Sequence, residues 1–274
     1  MKIGVSTFVT DEGIRPGALA RAVEERGFES LFVAEHSHIP VGSAGPDGGE
    51  LARPYYRSLD PFVTLAAAAA ATSTLRLGTA VALLVQRDVL HTAKEAASVD
   101  VLSGGRLILG VGAGWLRQEM RHHGTDPRTR GRLLDEQLAA LKEIWTHDEA
   151  EFHGEFVDFG PLHMWPKPVQ RPHPPLWIGG GSEASLRRVA AHGDGWFPVS
   201  ATPEDIRRAR AELDAAGRAD AVLTVPGDAA EPASLERFAE AGAERAVFMV
   251  DTAPEDATLR TLDRLAESTA PYRD

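Results

Sequence analysis

The residues best suited to holding an anion are Gly179-Gly180-Gly181-Ser182, set between a short apolar run and an amphipathic stretch. Consecutive glycines let a backbone approach a ligand closely, and the free N–H groups of a helix N-terminus favour negative charge. Ser182 can add a hydroxyl donor or cap the helix, so a plain tight turn with a serine cap is the alternative reading. A second glycine-rich stretch, Gly110-Val111-Gly112-Ala113-Gly114, invites comparison with dinucleotide-binding loops. It fails that comparison, because Trp115 stands at the sixth position and the stretch follows the fourth apolar run rather than the first. These glycines are expected to let the chain pass beneath a flat ligand, the alternative being a fit to a crowded rim.

Proton chemistry points to Glu35-His36-Ser37-His38, just past the second apolar run. Imidazole exchanges protons near neutrality, so His36 suits a general acid–base role. His-x-His places two rings on one face of an extended segment, and Asp251 after the last apolar run would suit a metal hydrolase. The other ligands such a site requires are missing, since no lysine follows the fourth run and no histidine follows the fifth or sixth. No metal site is therefore expected. His122, His123, His147, His153, His163 and His173 fall in polar or loop segments and read as solvated; Trp145, Trp165 and Trp177 read as packing. The chain has no cysteine, no Gly-x-Ser-x-Gly elbow and no Gly-Lys-Ser/Thr phosphate loop.

The elements that must carry these groups alternate short apolar runs with amphipathic stretches, the mark of βα units on a parallel sheet. Runs at Ile3–Phe8, Leu31–Ala34, Leu75–Val81, Arg106–Val111, Leu176–Ile178, Gly195–Phe197, Ala221–Val225 and Arg245–Val250 predict eight strands. Helices are expected near Pro16–Arg26, Pro61–Thr72, Val89–Leu102, Leu133–Thr146, Ser182–Ala191, Pro203–Ala216, Pro232–Ala241 and Pro254–Ser268. The rhythm breaks at Ala150–Phe159, where alternation around Gly154 predicts a small hairpin insertion. Residues 1–274 thus read as a single (β/α)₈ TIM barrel, with an open doubly wound sheet as the competing architecture. In a barrel the active site lies at the C-terminal strand ends, where every candidate above falls. Composition is that of a globular protein, 43% hydrophobic and 25% charged. A net charge of −11 without a basic run argues against nucleic acid and anionic membrane. The chain starts on a strand, without a signal-peptide pattern, so a cytoplasmic location is expected.

Taken together, the stretches Ala34–Pro40, Leu59–Phe62, Arg76–Thr79, Asp100–Arg106, Gly110–Trp115, Glu151–Phe156, Trp165–Gln170, Gly179–Ser182 and His192–Trp196 resemble the luciferase-like monooxygenase superfamily. The likeness is strongest to its short F420-dependent branch, common in actinobacteria, and runs from the first strand to about Pro198. It implies a cofactor across the C-terminal mouth, with phosphate at Gly180, Gly181 and Ser182. The ring would rest on a bulge at Ala80–Val81, which the family builds with a non-prolyl cis peptide, near Gly112 and Gly114. His36 would face the reactive edge. The function implied is an oxidoreductase moving a hydride between deazaflavin F420 and a small organic substrate. An FMN-dependent monooxygenase fed by a separate cofactor-reducing enzyme, or a flavin-binding protein without turnover, are the alternatives. F420 is favoured because FMN monooxygenases of the superfamily carry insertions for which 274 residues leave little room. Against the protein's acidity, an anionic cofactor tail would either meet local positive charge from Arg53, Arg57 and Arg87 near the rim or hang in solvent. The resemblance also implies a homodimer.

Overall fold

The computed structural model describes residues 1–229 and 231–273. Strands β1 (Lys2–Thr7), β2 (Ser30–Val33), β3 (Arg76–Thr79), β4 (Ala82–Leu83) and β5 (Leu107–Gly112) come first in the chain. The hairpin β6 (Ala150–His153) and β7 (Asp158–Leu162) follows, then β8 (Leu176–Gly179), β9 (Gly195–Phe197), β10 (Val222–Gly227) and β11 (Arg245–Met249). Parallel pairing runs from β1 through β2, β3, β5, β8, β9 and β10 to β11. Pairing of β1 with β11, Lys2 opposite Arg245 and Ser6 opposite Met249, then closes the ring. The fold is a closed (β/α)₈ barrel, as expected, and the open-sheet alternative is excluded.

Helices α1 (Pro16–Glu25), α2 (Pro61–Ala71), α3 (Val89–Ser103), α4 (Arg117–His122), α5 (Arg130–Thr146), α6 (Glu183–His192), α7 (Pro203–Ala215), α8 (Ser234–Glu240) and α9 (Glu255–Thr269) surround it. Their ends obey local chemistry. Asp60 and Asp88 accept the amides of Val63 and His91 at the starts of α2 and α3, and Gly104 ends α3 with φ of +67°. Among the described residues no helix is long and apolar enough to cross a membrane. The hairpin β6–β7 is antiparallel and sits where alternation placed it. Its turn is held by Glu136, which accepts the amides of Glu155, Phe156 and Val157. One short helix, α4, is absent from the sequence expectation; its only apolar residue is Met120, so no period marks it.

The third barrel strand is interrupted. Before the break Leu77 faces Leu107, an offset of 30; after it Ala82 faces Val111, an offset of 29. One residue is therefore extra, and the Ala80–Val81 peptide within the bulge is cis, as the resemblance implied. Inside the barrel Phe32, Ile108, Trp177 and Val247 form a separate plug, with Trp177 stacked on Phe32 at 5.4 Å and the Arg245 guanidinium 4.6 Å from the Trp177 ring centre. The larger core lies between barrel and helices, and Trp145 belongs to it.

Glu24 fastens the end of α1 to the approach of β3, accepting the amides of Ser73, Thr74 and Leu75. Burial pushes its carboxyl up, but these amides and the Thr74 hydroxyl outweigh that and hold it at about 2. A folded pKa below the free value stabilises fully above about pH 4.5 and fades as pH falls toward 2. Glu24→Gln is expected to cost about 1–2 kcal/mol at pH 7, allowing for solvent screening, with the gap narrowing below about pH 4.5 and closing only as pH falls to about 2. Urea unfolding of both proteins across that range checks this; a deficit independent of pH would show that charge is not what Glu24 contributes.

Candidate active site

The C-terminal end of β2 delivers two buried side chains of opposite use. Glu35 turns inward, accepting the Leu83 amide at 2.6 Å and an Arg87 N–H at 2.9 Å. Burial raises its pKa against the pull of Arg87. Its bonds are structural, tying the loop after β4 to the end of β2. His36 is 8% exposed, and its Nδ1 lies 2.8 Å from Oε2 of Glu119, a fully buried residue on α4. The same carboxylate accepts the Ser37 amide at 3.0 Å and the Ser37 hydroxyl at 3.3 Å, with Gln86 Nε2 at 3.4 Å. Desolvation pushes the Glu119 carboxyl up, yet the hydrogen bond and charge of His36, with the Ser37 amide and Gln86, hold it below its usual value. Among the described hydrogen bonds none uses Nε2 of His36, so one ring nitrogen is fixed and the other is available. Phe8, Tyr55 and Trp115 wall the ring, the last edge-on at 5.8 Å. This is the arrangement a positioned acid–base histidine requires.

Glu119 escaped the sequence reading because it follows no strand directly; its partner lies 83 residues away in the chain. His122 and His123 are exposed, as expected, and His38 is half-buried; all three are also bonded. His38 Nε2 meets His122 Nδ1 at 2.8 Å, and the Ser37 hydroxyl meets His123 Nε2 at 2.6 Å. His36 and His38 therefore face different partners, and among the described residues no group of three or more His, Asp or Glu side chains could hold a metal ion.

A cleft of about 1310 Å³ has Trp115, which stands edge-on to His36, in its wall. Val81, Gly112, Gly114, Trp115, Gly180 and Ser182 all line it, so the bulge, the glycine stretch and the anion turn share one space. Ala80 instead packs on the barrel plug, and Gly181 lies between two lining residues. Gly180 has φ of +106°, and a Cβ there would meet nothing closer than 3.8 Å; one on Gly181 would meet only Ser200 O at 3.9 Å. Ser182 Oγ caps α6 by accepting the Ser185 amide. No described acceptor takes the amides of Gly181, Ser182, Glu183 or Ala184. The turn thus caps α6 and leaves its first amides without a described acceptor.

Two expectations need correction. A Cβ on Gly112 would lie 2.7 Å from Val81 Cγ2, one on Gly179 2.9 Å from Val81 Cγ1, and one on Gly110 2.0 Å from Thr79 O. The first reason for glycine there is to admit the bulge, not a ligand. Gly114 has φ of +71° and backs onto Gln86, Met120 and Leu83. The arginines expected to supply positive charge are spent: Arg53 pairs with Glu12, Arg57 with Asp11, and Arg87 with Glu35, Asp60 and Glu95.

A closed barrel with a free-amide turn and a histidine–carboxylate pair at one mouth carries its chemistry where (β/α)₈ enzymes carry theirs. The luciferase-like monooxygenase profile matches residues 15–270, and the chain belongs to that family. An uncharacterized protein of Mycobacterium tuberculosis is 42% identical over 289 aligned positions, which cover 98% of this chain and 99% of the relative. An F420-dependent secondary alcohol dehydrogenase, solved with an F420–acetone adduct, shares the fold with a TM-score of 0.79 at 18% identity, over 100% of both chains. A monooxygenase from Streptomyces bottropensis, RslO1, gives 0.77 at 23% identity over 99% of each.

Removing the Glu119 carboxylate leaves His36 Nδ1 and the Ser37 amide without their acceptor. Glu119→Ala is expected to cost about 3 kcal/mol, the scale of breaking a buried charged contact. Glu119→Gln should cost less than half as much, since its amide oxygen still accepts from Ser37. Urea denaturation measures both, and wild-type stability in the alanine variant would remove Glu119 from its place in the site.

Proposed function

We propose that this protein is an F420-dependent oxidoreductase that moves a hydride between the deazaflavin and a small organic substrate. The observation that carries this reading is one cleft lined by the bulge residue Val81, the free-amide turn at Gly180 and Ser182, and Trp115, whose ring stands edge-on to His36 at 5.8 Å. The residues fit a phosphorylated flavin-type group. Free amides and an open Gly181 suit its phosphate, and Val81, Leu83 and Ala113 offer an apolar bed for a flat ring. Family membership supports an oxidoreductase, and a chain of 274 residues that an F420-dependent structure matches end to end supports F420 over FMN.

Bound there, the deazaflavin supplies the hydride chemistry. Within the chain, Glu119 fixes Nδ1 of His36 and leaves Nε2 to hold or release a proton at a substrate oxygen. Phe8, Tyr55 and Trp115 pack around the ring and leave His36 8% exposed. Desolvation of the pair strengthens the hydrogen bond that orients the ring.

Gly181→Val is the direct test of that turn as a phosphate cradle. Gly181 does not have the positive φ of Gly180, so a side chain fits the fold there but covers the amides. F420 affinity, read by fluorescence titration, is expected to fall at least about tenfold, the loss of one charge-assisted contact or more, with the melting temperature unchanged. An unchanged dissociation constant would move the phosphate elsewhere. Running FMN in parallel decides between the cofactors.

For catalysis the informative change is His36→Asn, whose amide N–H can still donate to Glu119 while no titratable nitrogen remains. With a panel of small alcohols and ketones, F420 turnover is expected to drop by about 10²–10⁴, the usual worth of general acid–base assistance. F420 affinity should stay within a few-fold. Equal loss of both would make His36 a binding residue instead.

A further inference from the structure

Resting on the F420 reading above, we propose that Arg117, Arg121 and Arg130 form a second anion subsite in the same cleft. This subsite takes the carboxylates of the cofactor's oligoglutamyl tail and selects F420 over FMN. The charge of the cleft is the opposite of the protein's. The chain carries 40 acidic against 29 basic residues, yet five arginines and one carboxylate, Asp126, line the cleft. Two of the five are already neutralised, Arg128 by Asp126 at 2.7 Å and Arg188 by Asp135 at 2.5 Å. The other three are not. Among the described residues the Arg117 and Arg121 side chains have no hydrogen bond or ion pair, the charge of Arg121 reaching Asp126 only at longer range, and Arg130 donates only to the Pro127 carbonyl at 3.0 Å.

Their location separates them from the phosphate cradle. Arg117 and Arg121 are four residues apart on α4, hence on one face of it, and Arg130 opens α5; the cradle belongs to the β8–α6 turn. A single phosphate is served by the free amides at 181–184 and needs none of the three. What remains is three guanidinium groups lining one cleft. Carboxylates spaced along a flexible chain match it, because each guanidinium can take a carboxylate through two parallel N–H donors. F420 carries such carboxylates beyond its phosphate, whereas FMN ends at the phosphate. Glu119 gives α4 its position, so the arginines are presented by the same carboxylate that orients His36.

The test is equilibrium binding of F420, FMN and the ribityl deazaflavin that lacks phosphate and tail, followed by their own fluorescence at low and high NaCl. Arg117→Gln with Arg121→Gln is expected to weaken F420 by roughly tenfold and to flatten its salt dependence, as loss of two partly screened guanidinium–carboxylate contacts should. FMN and the tail-free deazaflavin should move by less than about twofold, since neither reaches the subsite. Both side chains are exposed and unpaired, so the fold is expected to persist; a melting curve confirms it, and Arg121→Gln alone should give a smaller loss in the same direction. Wild-type F420 affinity in the double variant overturns the subsite, as does an equal loss of F420 and FMN, which would assign the arginines to phosphate. If the unaltered protein binds FMN but not F420, the cofactor reading itself fails, and the subsite with it.

Discussion

A carboxylate with no access to water must be met by donors, and Glu119 on one segment is met from two others. His36 and Ser37 come from the end of β2, Gln86 from the turn after β4, and Glu119 itself from α4. Unpaired, such a group would cost several kcal/mol, so these segments cannot drift apart independently. That one requirement places α4, which has almost no apolar face of its own to dock with. It also fixes the His36 tautomer relationship, since the nitrogen facing Glu119 is held and the other is left for chemistry. The position of α4 and the orientation of His36 thus have a common physical cause.

The floor of the cleft follows from a second constraint, the extra residue in the third barrel strand. It turns the Val81 side chain toward β5 and β8, where its methyls occupy the space that Cβ atoms on Gly112 and Gly179 would need. A larger residue at either position collides with the bulge before any ligand is considered. Glycine there is a condition of the local backbone path, and the smooth apolar surface facing the cleft is its consequence. The open glycines are the later pair, Gly180 and Gly181, where nothing of the protein occupies the missing Cβ position closely. Two glycine-rich turns that look alike in sequence therefore serve different ends, one packing and one access.

This explains what could be read from the sequence and what could not. Strands and helices follow from period and punctuation, because a parallel strand buried on both sides is a short apolar run whatever surrounds it. His36 and the Gly179–Ser182 turn are legible because they stand immediately past strands. Glu119 is not, because its meaning lies in a contact 83 residues distant. Nor is α4, whose helix is held by one buried carboxylate and Met120 rather than by an apolar stripe. The bulge shows no break in hydrophobic pattern across Leu75–Val81; only the likeness to a family marked it. The arginines were misassigned for a related reason. Arg53, Arg57 and Arg87 lie near the mouth, but pairing with Glu12, Asp11 and Glu35 is a tertiary fact.

Charge shows the same distinction between totals and places. A net −11 suggests a poor host for an anion, and by summed charge alone it is. Beyond about 8–10 Å, however, exposed charges are largely screened at physiological salt, so carboxylates on the outer helices contribute little to a ligand in the cleft. What such a ligand meets is the nearest shell: free amides at the start of α6, three guanidinium groups without carboxylate partners, and Asp126 already engaged by Arg128. Inside a concave site the field of these groups is focused rather than averaged. The chain carries a net charge of −11, while the cleft is lined by five arginines and one carboxylate. Selectivity for an anionic cofactor is thus consistent with an acidic protein, provided its arginines are divided between those that hold the fold and those left free.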